Sequence, residues 1–155
     1  MILDARIDAS LKRIQELLNT IPEKLLTIDQ KDFDFKPSPE KWSKKEILGH
    51  LVDSAANNQQ RFIRVQYETG LKIVYDQEKW NRLNDWQSYD KNQLINFWLL
   101  INQHLIHVIK NIPAENLLLT CNTGGKENVK LEFLINDYVV HMEHHLRQIF
   151  PHEIF

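Results

Sequence analysis

The sequence predicts an all-α protein in which one domain, residues 1–155, forms a four-helix bundle. Four segments place apolar residues three or four positions apart, which is the spacing of one face of an amphipathic helix. No segment shows the sustained two-residue alternation of a half-buried strand. Four long amphipathic helices in one chain are typical of a bundle, because each must bury its apolar face against the others.

The first helix is predicted to extend from about Arg6 to Thr20. We expect Pro22 to end it, because proline has no backbone N–H and its ring clashes with the preceding turn. Its apolar residues follow a 4-3-4-3 spacing and are Ile7, Leu11, Ile14, Leu18 and Ile21.

The second helix is predicted to begin after Ser43. Ser43 and Glu46 have the spacing of a capping box, and Trp42 and Ile47 occupy the positions of a hydrophobic staple. We expect this helix to continue through residue 69 and to stop at Gly70. Its predicted inward stripe is Ile47, His50 or Leu51, Ser54, Asn58, Phe62 and Val65.

The third helix repeats this N-terminal signal. Asp90 is the predicted N-cap, Gln93 follows three residues later, and Tyr89 and Leu94 form the staple. Pro113 is expected to close the helix. The predicted apolar stripe is Leu94, Phe97, Ile101, Leu105, Val108 and Ile112.

The fourth helix is predicted from near Asn128 to Phe150, before Pro151. The connections 22–42 and 70–89 are long, so the bundle need not have the tight loops of a simple up-and-down form. The predicted inward stripe of this helix is Leu131, Leu134, Tyr138, His141, His145 and Gln148.

Three histidines fall on these inward stripes. His141 and His145 are four residues apart, which places both rings on one helix face. His50 lies between Ile47 and Leu51 on the second helix. Burying three imidazoles without partners is costly, and a shared metal ion removes that cost. The alternative reading is that each is a hydrogen-bonded core histidine.

Other known metal motifs do not fit the sequence. Glu143 follows His141 by two residues, or about 200° of helical turn, so it cannot serve as the glutamate of a zincin HExxH motif. The Glu-x-x-His pairs of a di-iron bundle are absent. We expect His144 on the flank of the last helix and Cys121 in the core. Weaker candidates for the site or its surroundings are Asp53, Asn57, Asn58, Asp137, Tyr138 and Gln148.

The composition excludes several functions. The chain has 19 Lys and Arg against 21 Asp and Glu, so no basic excess is available to bind nucleic acid. A single cysteine excludes an internal disulfide. No run of 18 apolar residues could span a membrane, and the N-terminus does not resemble a signal peptide. We therefore expect a cytoplasmic protein.

Two segments resemble one protein family. The stretch KWSKKEILGHLVDS resembles the W-S-x-x-E-[IV]-x-x-H-L segment of the DinB/YfiT-like metalloenzyme superfamily, and DYVVHMEHHLRQI resembles its H-x-x-x-H-x-x-Q-I segment. The similarity covers most of residues 28–150. The resemblance implies a bundle of variant up-and-down connectivity, often a homodimer. It also implies one divalent ion held by His50, His141 and His145.

The resemblance implies thiol S-transferase, maleylpyruvate isomerase or metal-dependent hydrolase activity. Three neutral imidazoles would leave open positions on the ion, as in catalytic sites. We therefore expect a small enzyme in which zinc or nickel, with iron and manganese as alternatives, activates water or a low-molecular-weight thiol toward a small-molecule substrate. The alternatives are a non-catalytic bundle that a metal stabilises or that senses the metal, and a metal-free partner-binding module.

Overall fold

Four long α-helices form the bundle that the sequence predicts. The computed structural model describes residues 4–153. The helices are α1 (Ala5–Thr27), α2 (Gln30–Asp34), α3 (Lys44–Arg64), α4 (Gln77–Asn84), α5 (Lys91–Lys110) and α6 (Leu131–Ile149). Two short strands, β1 (Thr120–Cys121) and β2 (Val129–Lys130), pair antiparallel before α6.

The order of the long helices around the bundle differs from their order in the chain. Both α1 and α3 pack mainly against α5 and α6. Consecutive long helices α1 and α3 are therefore not the main packing partners of each other, which explains the long connection between them. The predicted departure from a simple tight-looped bundle is confirmed.

The N-terminal signals of α3 and α5 are present as predicted. The backbone N–H of Glu46 donates to Ser43 Oγ (3.1 Å), and the Ser43 N–H donates to Glu46 Oε2 (2.8 Å). The Gln93 N–H donates to the carboxylate of Asp90 (2.9 Å). These local bonds satisfy helix N–H groups that have no partner inside the helix.

The predicted end of α1 is wrong, because Pro22 lies inside a helix that continues to Thr27. Pro22 removes the hydrogen bond to the Leu18 carbonyl, at a cost of about 3 kcal/mol. Ile21 and Leu25 are both fully buried on the same stripe. Burial of two such side chains contributes about 3–6 kcal/mol and offsets the loss.

The predicted end of α3 is also too late. The helix stops at Arg64, and the chain turns so that residues 71–73 pair with the segment after β1. The Ile73 N–H donates to the Asn122 carbonyl (3.0 Å), and the Asn122 N–H donates to the Leu71 carbonyl (2.9 Å). Gly70 has φ +69° and belongs to this later turn.

The buried face of α5 is rotated from the predicted stripe. Phe97 is 42% exposed, whereas Trp98 is fully buried. Both faces of this helix carry apolar residues, so local spacing does not choose between them. The buried residues are Leu94, Ile95, Trp98, Asn102, Leu105, Ile106 and Ile109.

The last helix starts at Leu131 rather than near Asn128, because residues 129–130 pair with β1. Gln148, predicted on its inward stripe, is exposed. Among the described residues, no helix combines the length and apolar character that crossing a membrane requires.

Candidate metal centre

The three predicted histidines meet where α3 packs against α6. His50 Nε2 lies 3.2 Å from His141 Nε2. The ring centroids of His50 and His141 are 5.1 Å apart, and each lies 4.6 Å from the centroid of His145. The rings are tilted by 68–73° to one another, so they surround one point.

This arrangement has the dimensions of a metal site. One nitrogen from each histidine lies within 4.8 Å of the other two. Two nitrogens bound tetrahedrally to one zinc ion, at about 2.0–2.1 Å each, are about 3.3–3.4 Å apart. The 3.2 Å between the Nε2 atoms of His50 and His141 is close to that spacing. The donor set therefore fits a divalent transition metal.

Two of the rings are oriented by neighbouring polar groups. Ser54 Oγ lies 3.5 Å from Nδ1 of His141, and Gln148 Oε1 lies 2.9 Å from Nδ1 of His145. A partner on Nδ1 fixes the ring orientation and directs the other nitrogen toward the centre. Nδ1 of the fully buried His50 has no hydrogen-bond partner among residues 4–153.

The environment keeps these histidines neutral at pH 7. Burial, together with the nearby His145 and His141, lowers the pKa of His50 to about 3. Burial also lowers the pKa of His141 to about 4, with contributions from His145, His144 and Arg61. The pKa of His145 is lowered chiefly by burial. Neutral rings keep the lone pairs that a metal ion requires.

The two aspartates that the sequence suggested as weaker candidates for the site do not contact the histidines in this way. Both carboxylate oxygens of Asp53 accept hydrogen bonds, from Asn84 Nδ2 (2.8 Å) and Trp86 Nε1 (3.0 Å). Asp53 therefore ties α3 to the end of α4 and to the segment that follows it. Asp137 is exposed on α6, and Ser54 rather than Asp137 lies beside Nδ1 of His141.

Glu143 faces away from the three histidines, as predicted. Its carboxylate pairs with Arg13 of α1 (2.5 Å) and with Arg147 (3.6 Å). His144 is exposed on the flank of α6, where Gln148 Nε2 lies 3.3 Å from its Nε2. The expected surface position of His144 is confirmed.

Among the remaining weaker candidates, Tyr138 links two helices, whereas Asn57 and Asn58 bond to the backbone of their own helix α3. The hydroxyl of buried Tyr138 donates to Asn102 Oδ1 (2.6 Å), linking α6 to α5. Asn57 Nδ2 donates to the Asp53 carbonyl (2.9 Å), and Asn58 Nδ2 donates to the Ser54 carbonyl (2.9 Å). Cys121 is fully buried, and burial raises the pKa of its thiol, which agrees with a packing role.

A cleft of about 470 Å³ is lined by two residues that each contact one of the histidines. Its wall includes Trp42 and Ile47 from the start of α3 and Gln148 from the end of α6. The Trp42 ring lies 4.9 Å from the His50 ring, and Gln148 contacts His145. Phe35, 61% exposed, adds a second aromatic surface. The cleft is large enough for a small organic molecule.

Two residues near the histidines were not predicted from the sequence. Arg61 lies on the same face of α3 as His50 and Ser54. Helical spacing could therefore have identified it from the sequence. Tyr75 lies in the loop before α4, where no spacing rule applies. Its ring centroid is 5.9 Å from the guanidinium carbon of Arg61.

Comparisons with known proteins identify the family of this chain. A family model described as the DinB superfamily matches residues 6–149. Proteins of Bacillus cereus and Bacillus anthracis, each named "Putative metal-dependent hydrolase", are 27% identical over 149 residues, covering 96% of this chain and 86% of theirs.

A solved structure has the same fold. It is described as "YfiT from Bacillus subtilis is a probable metal-dependent hydrolase with an unusual four-helix bundle topology". The TM-score is 0.86 at 20% identity, and the match covers 97% of this chain and 87% of that one. This likeness establishes the unusual bundle topology of the present chain.

Proposed function

Because the chain belongs to the DinB superfamily, we propose that it is a metal-dependent hydrolase in which His50, His141 and His145 hold one divalent ion. The observation that carries the proposal is the convergence of the three imidazoles at the contact of α3 and α6. The names of the relatives from Bacillus cereus and Bacillus anthracis support the same class of reaction.

The proposed ion is zinc or nickel, with iron and manganese as alternatives, since imidazole suits several divalent transition metals. When bound, such an ion acts as a Lewis acid and lowers the pKa of a water molecule or thiol in its open position. Three neutral ligands leave the charge of the ion intact for this purpose. A low-molecular-weight thiol is the alternative nucleophile to water.

The surrounding residues support a catalytic rather than a closed structural site. His141 and His145 are half-buried and partly accessible to solvent, whereas His50 is fully buried. Ser54 and Gln148 hold the two accessible rings in position.

The decisive experiment is elemental analysis of untagged protein beside the variant His145→Ala. We expect about one equivalent of a divalent transition metal in the wild type and background metal in the variant. His104→Ala is the matched control, because His104 is an exposed histidine on α5. Equal metal in the wild type and His145→Ala would contradict the assignment.

The reaction is tested with the metal-loaded protein on panels of small esters, amides and phosphoesters. A parallel panel supplies a thiol and an electrophile. We expect hydrolysis that a chelator abolishes and that the added metal restores. Turnover confined to the thiol panel would identify an S-transferase instead. Metal binding without turnover in either panel would favour the non-catalytic, metal-stabilised bundle.

A further inference from the structure

Arg61 is a buried cation whose hydrogen-bond acceptors are all neutral. It lies on α3 and is 9% exposed. Its Nη1 donates to Asn58 Oδ1 (3.3 Å), and its Nη2 donates to the Ile73 carbonyl (3.0 Å). No group within residues 4–153 accepts a hydrogen bond from its buried Nε. The guanidinium therefore retains unused donor capacity.

Most of the other arginines, unlike Arg61, have a carboxylate partner. Arg6, Arg13, Arg64 and Arg147 are all more exposed, and each has a carboxylate within 4.0 Å. Arg82 has no carboxylate that close within residues 4–153, but it is exposed to solvent. In the part of the chain that the structure describes, Arg61 forms no such ion pair. A buried charge is costly unless it is paired. Among residues 4–153, Arg61 is thus the arginine that is buried without a carboxylate partner.

The groups around Arg61 supply little negative charge. Asp137 acts on it only through space and is exposed to solvent. Burial raises the pKa values of the neighbouring Tyr75 and Cys121, so both are neutral at pH 7. The Tyr75 ring, 5.9 Å from the guanidinium carbon, gives a weak cation–π contact and no full charge.

A short chain of polar contacts connects Arg61 with the three histidines. Asn58, which accepts from Arg61, donates to Ser54 Oγ (3.3 Å). Ser54 Oγ in turn lies 3.5 Å from His141 Nδ1. Arg61 therefore lies beside the candidate centre, along the same face of α3.

We propose that Arg61 is the anion-binding residue of this centre and that it takes the carboxylate group of a small-molecule substrate. The inference rests on the proposed metal-dependent hydrolase function and specifies its substrate class. A guanidinium fork matches a carboxylate in shape and can donate two parallel hydrogen bonds to it. One positive side chain balances one negative charge, which favours a carboxylate over a phosphate dianion.

The test observes Arg61 directly in the full-length wild-type protein. The Nε–H signals of the arginines are recorded by ¹⁵N NMR while acetate replaces chloride at constant ionic strength, with and without bound zinc. Arg61→Lys identifies the Arg61 signal. We expect this signal to move and to saturate. Arg64 is the internal control, because its Nε already donates to Glu68 Oε1 (2.7 Å).

The possible outcomes separate the two proposals. A saturating shift of Arg61 in zinc-free protein supports the subsite even if the chain takes up no zinc. Zinc uptake by the three histidines with an unmoved Arg61 signal would overturn the subsite alone. Equal movement of the Arg61 and Arg64 signals would also overturn it. Tighter binding of inorganic phosphate than of acetate would contradict the carboxylate assignment.

Variants distinguish substrate binding from a structural role. Arg61→Met should weaken acetate binding about tenfold or more, because a charge-assisted hydrogen bond is lost, while metal content stays at the wild-type value. Arg61→Lys keeps the charge and should recover part of the affinity, and Arg64→Met should bind acetate normally. A purely structural role predicts lower thermal stability in Arg61→Met with unchanged acetate affinity in the folded protein.

Discussion

The Nε2 atoms of His50 and His141 lie 3.2 Å apart, although 91 residues separate the two histidines in the chain. Two neutral imidazole nitrogens at this distance need a proton or a cation between them, because facing lone pairs repel each other. A hydrogen bond between the two rings, with one neutral ring donating its Nε2–H, would leave the nearby nitrogen of His145 unused, whereas one cation binds all three rings. The close approach of the histidine nitrogens therefore favours a bound cation.

Metal should stabilise the wild type and not the variant His50→Ala. A ligand that binds only the folded state, at 100 times its Kd, adds about 2.7 kcal/mol to the free energy of unfolding. We expect a rise in Tm when zinc or nickel is added to metal-free wild type, and reversal of that rise by a chelator. Differential scanning calorimetry with and without metal measures the effect.

The control for this prediction is His107→Ala, an exposed histidine on α5. It should keep the full metal-dependent rise in Tm. An equal rise in His50→Ala would mean that the metal binds elsewhere in the chain.

Gly49→Ala should destabilise the protein, although this change normally favours a helix by about 1 kcal/mol. A Cβ atom at Gly49 would lie 2.2 Å from Cγ of Trp86. Trp86 is 5% exposed and its Nε1 is bonded to Asp53, so it cannot move easily. We expect a loss of about 1–3 kcal/mol, measured by urea unfolding.

Gly125→Ala is the comparison for this change. The nearest atom to a Cβ at Gly125 is the Glu127 carbonyl oxygen, at 3.9 Å, which is an ordinary contact. If the free energy of unfolding of Gly49→Ala equals or exceeds that of the wild type, Trp86 does not pack against α3 in this way.

Pro22→Ala should stabilise the protein. Alanine restores a backbone N–H that can bond to the Leu18 carbonyl inside α1. The gain is expected to be about 1–3 kcal/mol, less a contribution from the more flexible unfolded chain. Chemical denaturation of both proteins tests this. No change would indicate that α1 is distorted around residue 22 in a way that alanine cannot relieve.

Asp53→Asn should alter how stability depends on pH. Burial raises the pKa of Asp53 from 3.8 to about 6, against the lowering effect of hydrogen bonds from Trp86 and Asn84. The folded state therefore binds the proton more tightly than the unfolded state. The stabilisation from this group is fully present below pH 3.8 and is lost as the pH rises through 6.

The stability advantage of wild type over Asp53→Asn should thus shrink between pH 4 and pH 7, by about 2–3 kcal/mol at most. Urea unfolding of both proteins at the two pH values gives the difference. Trp86→Phe removes one hydrogen bond to the carboxylate, and it should raise the Asp53 pKa further. A pH-independent difference between wild type and Asp53→Asn would contradict the prediction.

Local signals in the sequence predicted much of this structure. The capping residues Ser43 and Asp90 mark the starts of α3 and α5, because their bonds involve groups only three residues away. The pair His141 and His145 follows from helical spacing alone. His50 could be joined to them because it occupies an apolar face of another helix and because the surrounding motif resembles the family.

Other features depended on contacts between distant segments. Local spacing could not show that α5 buries Trp98 instead of Phe97, because both faces of that helix are apolar. It could not show that α1 continues beyond Pro22, because the compensation comes from burial of Leu25. Nor could it show that Asp53 is held by Trp86, a residue 33 positions away.

The sequence by itself therefore determined the existence of the four long helices, the N-terminal caps of α3 and α5, and the three histidines. Each of these depends on hydrogen bonds or side-chain spacing within one or two helical turns. The tertiary structure alone decided how the helices are ordered around the bundle, that the histidine nitrogens meet, and that Arg61 is buried without a carboxylate partner. These features arise from packing between segments far apart in the chain, and local periodicity does not specify which surfaces will meet.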